Sequence, residues 1–163
     1  VVVMNNGKVE QISPPFELYT RPKSAYVARF IGRNKIIGGQ LADISEKRVT
    51  VKTDAGLLAG VPSFATAAAK SGQGAMVVTP SEYVELSPTG SQGDDSTMNT
   101  VHGTVQTVDQ VGQIVYVGME LAAGLEVRLE THRSEIEGRG VSPGATMDLR
   151  WRADRATVVL DAA

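Results

Sequence analysis

The clearest indication of the fold is the sequence VHGTVQTVDQVGQIVYVGME at residues 101–120. Apolar and polar side chains alternate along both of its halves, which is the pattern of β-strands with one buried face. We therefore predict one strand from Val101 to Val111 and a second from Gln113 to Glu120. Short runs of the same kind, separated by Gly, Asp and Ser, occur from residue 36 onward, so the chain is expected to be mainly β.

The predicted strands fall into two successive sets. The first set covers Ile36 to Ile44, Arg48 to Thr53, Leu57 to Val61, Gly74 to Thr79 and Tyr83 to Leu86, and the second adds Leu125 to Thr131, Thr146 to Arg152 and Thr157 to Leu160 to the two strands above. Asn34 and Gly39 in the first set have counterparts in Asn99 and Gly103, which indicates two copies of one unit. Five short strands suit a small Greek-key barrel of the oligonucleotide/oligosaccharide-binding (OB) type, either as one fused barrel or as two.

The predicted organisation has four parts. Residues 33–86 are the first β-rich half, and residues 100–163 are the second. Between them, residues 87–99 (SPTGSQGDDSTMN) are polar and rich in turn-forming residues, so we predict a flexible linker or loop there. Residues 1–32 differ from both halves.

The first 32 residues predict a hairpin followed by two short helices. Val1-Val2-Val3-Met4 and Val9-Glu10-Gln11-Ile12 are predicted strands, and Asn5-Asn6-Gly7-Lys8 between them tolerates the positive φ of a tight turn. Pro15 suits a first helical turn, whereas Pro14 offers no side-chain oxygen to the free amides of that helix. A hairpin this short is not stable alone, so its first strand is expected to join chain that precedes Val1.

Three blocks of this segment resemble the end of the nucleotide-binding domain in ATP-binding-cassette (ABC) import ATPases. They keep that family's order and spacing: Val3-Met4-Asn5-Asn6-Gly7-Lys8-Val9-Glu10-Gln11-Ile12, Pro15-Phe16-Glu17-Leu18-Tyr19-Thr20-Arg21-Pro22 and Tyr26-Val27-Ala28-Arg29-Phe30-Ile31-Gly32. The family usually has Thr where this chain has Pro14. The C-terminal half resembles the transport-associated OB-type (TOBE) domain of polyamine, ferric-iron and related importers at Gly103-Thr104-Val105, Val108-Asp109-Gln110-Val111-Gly112 and Gly144 through Arg152. Thr79-Pro80-Ser81-Glu82 stands where many relatives have Arg-Pro-Glu.

This resemblance implies that residues 1–32 are the C-terminal remnant of an ATP-binding-cassette domain and that the rest is a regulatory and dimerisation domain. It implies a full-length parent that binds ATP and Mg²⁺, hydrolyses ATP as a homodimer and drives transport through membrane permease subunits. That parent would be a cytoplasmic protein, peripheral on the inner face of the cell membrane. Its solute would be a polyamine, ferric iron or a related compound, in preference to a sugar.

Composition and motifs argue against several activities for this chain. With 16 basic and 18 acidic residues, its net charge of −2 provides no general attraction for nucleic acid. It has no Cys, which excludes disulfides, thiol catalysis and Cys-based metal sites. No apolar stretch reaches the length of a membrane-spanning helix. The phosphate-binding motif Gly-x4-Gly-Lys-Ser/Thr is absent, so we expect this fragment neither to bind nor to hydrolyse ATP.

We predict no catalytic, cofactor-binding or metal-binding residue in this chain. His102 and His132 are interpreted as surface or edge residues. The acidic residues are interpreted as solvated or salt-bridged charges rather than cation ligands; they are Glu130, Glu135, Glu137 and the pair Asp94-Asp95. Lys47-Arg48 and the run Arg150-Trp151-Arg152 indicate nucleic-acid binding only weakly, because the chain has one Trp and a negative net charge. Strand alternation instead predicts a buried Trp151 between a solvated Arg150 and a solvated Arg152.

The one predicted interface lies in the helical segment. Tyr26, Val27, Phe30 and Ile31 fall on one face of a helix, which normally indicates burial. Together with Tyr19, they are predicted to contact the missing ATPase domain, whose absence would leave an exposed apolar patch.

Two other function classes remain open at this stage. One is an oxyanion-binding module similar to the molybdate-binding relatives of this β domain, in which backbone amides and Ser, Thr or Lys side chains would hold the anion. The other is a stand-alone nucleic-acid-binding OB module, which the charge balance disfavours.

Overall fold

The computed structural model describes residues 1–32, 34–90 and 95–161, and it confirms a mainly β chain. The strands are β1 (Val2–Asn5), β2 (Lys8–Ile12), β3 (Asn34–Ile44), β4 (Val49–Thr53), β5 (Gly56–Pro62), β6 (Gly74–Pro80), β7 (Glu85–Pro88), β8 (Met98–Val111), β9 (Ile114–Leu121), β10 (Glu126–His132), β11 (Thr146–Arg152) and β12 (Thr157–Leu160). The α-helices are α1 (Pro15–Thr20), α2 (Ala25–Ile31) and α3 (Arg133–Ile136). Within the described ranges, no helix has the length and apolar character needed to cross a membrane.

The chain divides into two compact units. The first consists of Val1–Pro80 and Arg152–Ala163, and the second of Ser81–Trp151. Five strands of the first unit close into a barrel in the order β12-β5-β4-β3-β6. Neighbouring strands are antiparallel except β5 and β12, which are parallel. The fifth barrel strand along the chain, β12, thus lies between the third and the fourth. This is a Greek-key order, and the predicted OB-type fold is confirmed.

Apolar side chains of the barrel strands point inward and form its core: Leu41, Val49, Val51, Leu58, Val77 and Val158. Gly39 on β3 has no side chain because a Cβ atom there would collide with the backbone carbonyl of Lys52 on β4. Gly103 on β8 is in the same situation, since its Cβ would meet the backbone of Glu120 and the side chain of Leu121 on β9. The predicted correspondence between the two glycines therefore has a structural basis, which is a close approach of two strands.

The second unit contains a five-stranded sheet in the order β10-β9-β8-β11-β7. Its longest strands, β8 and β9, form an antiparallel hairpin, and Gly112 supplies the positive φ of the turn between them. One face of the sheet carries the core of this unit: Leu86, Val101, Val105, Val117, Met119, Leu129, Met147, Leu149 and Trp151.

The boundaries of the two predicted β halves are corrected by the pairing of the strands. β7 follows β6 along the chain but pairs with β11 in the second unit. β12 follows β11 but pairs with β5 and β6 in the first unit. Residues 33–86 and 100–163 therefore do not each form one unit. Alternation of apolar residues locates a strand, but it carries no information about which strand is its partner.

The predicted linker at residues 87–99 is too long at both ends. Ser87 and Pro88 belong to β7, where they pair with β11, and β8 already begins at Met98. The predicted strand from Tyr83 to Leu86 starts too early, because residues 81–83 form a 3-10 turn. Residues 91–94 of the linker lie outside the described residues.

Candidate functional site

The N-terminal hairpin forms as predicted. Asn6 and Gly7 adopt φ values of 49° and 76°, as a two-residue hairpin turn requires. Glu10 is an extra residue on β2, because Val3 pairs with Gln11 while the next residue of β1 pairs with Val9. Because of this bulge, residues 9 and 12 of β2 project to the same side of the hairpin.

One side of the hairpin is apolar and exposed. It consists of two cross-strand pairs, Val2 with Ile12 and Met4 with Val9, which we call the hairpin face. The exposed fractions of these side chains are 53%, 66%, 54% and 54%. Phe16, in the first turn of α1, is 70% exposed. Single exposed apolar residues are common on proteins, but facing pairs on one small sheet form a patch that indicates an interaction surface.

The opposite side of the hairpin is covered by the two helices. Val3 of β1, Leu18 of α1 and Val27 of α2 are almost fully buried and pack into a small core, against which Tyr26 and Ile31 pack in part. The hairpin is thus held to α1 and α2 on its inner side, and only its outer side is free for a partner.

The predicted interface residues differ in how far they are buried. Val27 is completely buried in the small core, and Tyr26 and Ile31 contribute to that core. Tyr19 is half-buried. Phe30 is 64% exposed and stacks on Tyr26 with 6.1 Å between the ring centroids. The helical face therefore mainly serves the chain's own packing, and Phe30 is its outward member.

The hairpin face was not among the interface residues predicted from the sequence. The sequence of β1 contained a signal for it, because a strand with apolar residues at positions 2, 3 and 4 in succession has an apolar side chain on each of its two faces. Such a run is typical of a strand that is covered on both faces.

Other candidate residues have structural partners. His102 lies 2.6 Å from Asp148, measured from Nδ1 to Oδ1. Burial raises the pKa of Asp148, but hydrogen bonds from His102 and from the amide of Gly90 outweigh it, so the pKa lies below its ordinary value. His132 precedes α3 and accepts a hydrogen bond from the amide of Ser134. Both histidines are interpreted as structural.

The predicted environment of Arg150 is wrong. Trp151 is buried as expected, and Arg152 is exposed and pairs with Asp154 at 2.6 Å. Arg150 is only 5% exposed, and its Nε donates to Thr100 on β8 at 3.3 Å. Alternation fails here because the middle of β11 is buried on both of its faces.

Several of the acidic residues have hydrogen-bond or ion-pair partners within the described part of the chain. No group of three or more His, Cys, Asp or Glu side chains is suitably placed there to hold a metal ion. Glu135 accepts from Thr131, and Glu137 lies 3.9 Å from Arg133. Asp95 accepts from the hydroxyl and amide of Thr97, and its neighbour Asp94 lies outside the described residues.

A cavity of about 290 Å³ lies in the second unit between β7, β10 and α3. Its charged lining is mainly acidic. The charged residues that line it are Glu82, Glu85, Glu130, Glu135 and Arg139. The guanidinium of Arg139 already donates to the carbonyl of Leu86 at 2.7 Å. This excess of carboxylates disfavours an anionic ligand.

Comparison with known families shows which family the second set of strands resembles. Residues 81–159 match the family model described as the TOBE domain. This segment is a TOBE domain. It extends from the 3-10 turn before β7 to β12, so it includes the strand that closes the barrel of the first unit.

Two curated relatives extend the similarity beyond the TOBE domain. The spermidine/putrescine import ATP-binding protein PotA of Thermobifida fusca is 25% identical over 161 residues, which are 98% of this chain and 40% of that protein. The maltose/maltodextrin import ATP-binding protein MalK of Vibrio vulnificus is 32% identical over 126 residues, which are 75% of this chain and 32% of that protein. The chain thus spans less than half the length of these relatives. It is recognised as the C-terminal regulatory part of an ABC importer ATP-binding subunit.

A solved structure supports the fold. The cytoplasmic molybdate-binding protein ModG, with molybdate bound, matches with a TM-score of 0.63 and 20% sequence identity over 76% of this chain and 94% of that chain. At this identity the likeness concerns the fold alone. It agrees with the OB-type strand order of the barrel.

Proposed function

We propose that this chain regulates and dimerises the ATP-binding subunit of an ABC solute importer, and that the hairpin face is where the nucleotide-binding domain of the same subunit packs. The observation that carries this proposal is an exposed apolar face on a hairpin whose other side is covered by helices. The same residues, 3–12, carry the resemblance to the end of a nucleotide-binding domain.

The layer arrangement indicates what covers the hairpin face. In α/β domains a sheet has helices on both of its faces. Here α1 and α2 provide one layer, so the partner provides the second layer, and its sheet continues along the free edge of the hairpin. The site is therefore one corner of a larger α/β domain.

Burial of the hairpin face by a partner would be favourable in free energy. Full burial of a side chain such as Val, Ile or Met contributes about 1.5–3 kcal/mol. Since the four side chains are each roughly half exposed, covering them would contribute roughly 4 kcal/mol in total. This is enough to hold a tethered domain in place, because the two parts of one chain pay little translational entropy on contact.

The parent protein would bind ATP and Mg²⁺, form a homodimer and act on membrane permease subunits from the cytoplasmic side. The names of the relatives support an importer of this kind, since they are import ATP-binding proteins for spermidine/putrescine and for maltose/maltodextrin. As the transported solute, we propose a polyamine or ferric iron in preference to a sugar. The fragment itself is proposed to be without ATPase activity and without a cofactor or metal of its own.

Oxidative footprinting of Met4 tests the packing proposal. Met4 is 54% exposed, whereas Met76, Met119 and Met147 are buried, so Met4 should be oxidised readily to the sulfoxide in the isolated chain. In the complete polypeptide encoded by the gene, we expect its oxidation to slow by about tenfold or more. Met98, which is half-buried on β8 of the second unit, serves as the control whose oxidation should be the same in both. Equal oxidation of Met4 in both proteins would contradict the proposal.

An oxyanion-binding module is the alternative, favoured by the fold likeness to the molybdate-bound protein. Calorimetric titration of the 163-residue chain with molybdate, tungstate and sulfate separates the two. We expect no binding, because the described cavity is lined by four glutamates and one arginine. Binding of molybdate in preference to sulfate would favour the alternative. A nucleic-acid-binding role is disfavoured by the net charge of −2.

A further inference from the structure

The turn between α1 and α2, taken here as residues 20–24 and so including the last residue of α1, is held by side chains of β2. The buried Gln11 accepts a hydrogen bond from the amide of Lys23 at 2.8 Å and donates to the carbonyl of Arg21 at 3.2 Å. The neighbouring Glu10 accepts from the hydroxyl of Ser24 at 2.9 Å. These bonds attach the turn to the strand that carries half of the hairpin face.

The same turn is also held from the barrel. The hydroxyl of Thr157 on β12 donates to the carbonyl of Thr20 at 3.2 Å. Thr157 is only 6% exposed and Thr20 is half-buried, so this bond is partly shielded from water and its loss would take a donor from the Thr20 carbonyl. β12 is the strand that completes the barrel between β5 and β6.

From these two sets of bonds we infer that residues 20–24 are a joint that transmits displacement of the hairpin to β12. The side chains of Gln11 and Thr157 bond to different residues of this short segment, so a shift of β2 requires a shift of the segment or the loss of one of these hydrogen bonds. The barrel would thereby respond to whatever covers the hairpin face. The source of that displacement, domain docking, rests on the proposed function; the transmission itself does not.

A second physical route between the same elements must be distinguished. Ala25 and Ala28 of α2 pack against Val78 and Val159 of the barrel. A perturbation of the hairpin core could reach β12 through this apolar contact instead. The two routes differ in their dependence on the Thr157 hydroxyl.

Native-state hydrogen exchange on the 163-residue chain separates the routes. Val3→Ala loosens the small core beneath the hairpin, and we expect it to speed the exchange of the β12 amides by about tenfold. In a Thr157→Val background that increase should disappear, because the shape of the side chain is kept while the donor is lost. In a Thr157→Ser background, which retains the hydroxyl, the increase should remain.

Each result decides the inference. An increase that persists in Thr157→Val overturns the joint, as does a β12 that does not respond to Val3→Ala. If Thr157→Val unfolds the barrel, the double variant Glu10→Ala, Gln11→Leu replaces it, since it removes the β2 side chains that bond to the segment and should abolish the increase equally. The experiment involves no docking partner. A failed Met4 footprint therefore leaves its result unaffected, and a negative result here leaves the docking proposal unaffected.

Discussion

Asp148 and Arg150 lie two residues apart on β11, are both 5% exposed, and have polar partners on the neighbouring strand β8. Buried charges are tolerated when hydrogen bonds replace the lost water. The sequence allowed Trp151 to be predicted as buried, but not Arg150. A period of two assumes one solvated face, whereas the middle of β11 is buried on both of its faces.

The low pKa of Asp148 predicts a pH dependence of stability. A carboxyl whose pKa is lower in the folded chain than in the unfolded one stabilises the fold while it is ionised, and this contribution is lost as the pH falls through the folded pKa, below 3.8. We expect Asp148→Asn to lower the free energy of unfolding by about 1–2 kcal/mol at pH 7. The difference from the parent should shrink between pH 4 and pH 2.5.

Urea denaturation across that pH range measures this effect. Asp109→Asn, at an exposed position, controls for the loss of one negative charge. A difference between Asp148→Asn and the parent that stays constant down to pH 2.5 would show that ionisation of Asp148 contributes nothing.

At the scale of elements, α1 and α2 begin differently. Ser24 caps α2, because its hydroxyl accepts from the amide of Val27. Pro14 precedes α1 and provides no side-chain cap. Ser13 does not replace it, since its oxygen accepts from Gln11. The sequence predicted this missing cap and both helices, as well as most strands, because local patterns determine them. It misplaced the start of β7, where a 3-10 turn precedes the strand.

A cap introduced at position 14 should stabilise α1. Thr at this position can accept from a free amide of the first turn, and a good cap contributes about 1 kcal/mol. Replacing Pro also removes its restriction of the unfolded chain, so the informative comparison is Pro14→Thr against Pro14→Ala. We expect Pro14→Thr to be the more stable by about 1 kcal/mol in chemical denaturation. Equal stabilities would mean that the first turn of α1 gains nothing from a side-chain cap.

At the scale of the whole molecule, the order of the strands along the chain differs from their assignment to the two units. β7 completes the sheet of the second unit, and β12 completes the barrel of the first. Most strands could be predicted from local sequence, but their assignment to the two units could not, because it depends on pairings between residues far apart in the chain. The exposure of the hairpin face depends likewise on packing, since only the folded chain shows which side of the hairpin α1 and α2 cover.

Sequencing the source DNA immediately upstream of the Val1 codon tests most directly whether this chain is the regulatory part of an importer ATPase subunit. We predict an open reading frame that continues upstream and encodes a Gly-x4-Gly-Lys-Ser/Thr phosphate-binding loop, a signature loop and a switch histidine. The apolar hairpin face would then have its partner in the same polypeptide. A start codon at or next to Val1 would contradict this account, because the hairpin face would lack that domain and the chain would be a free-standing β module.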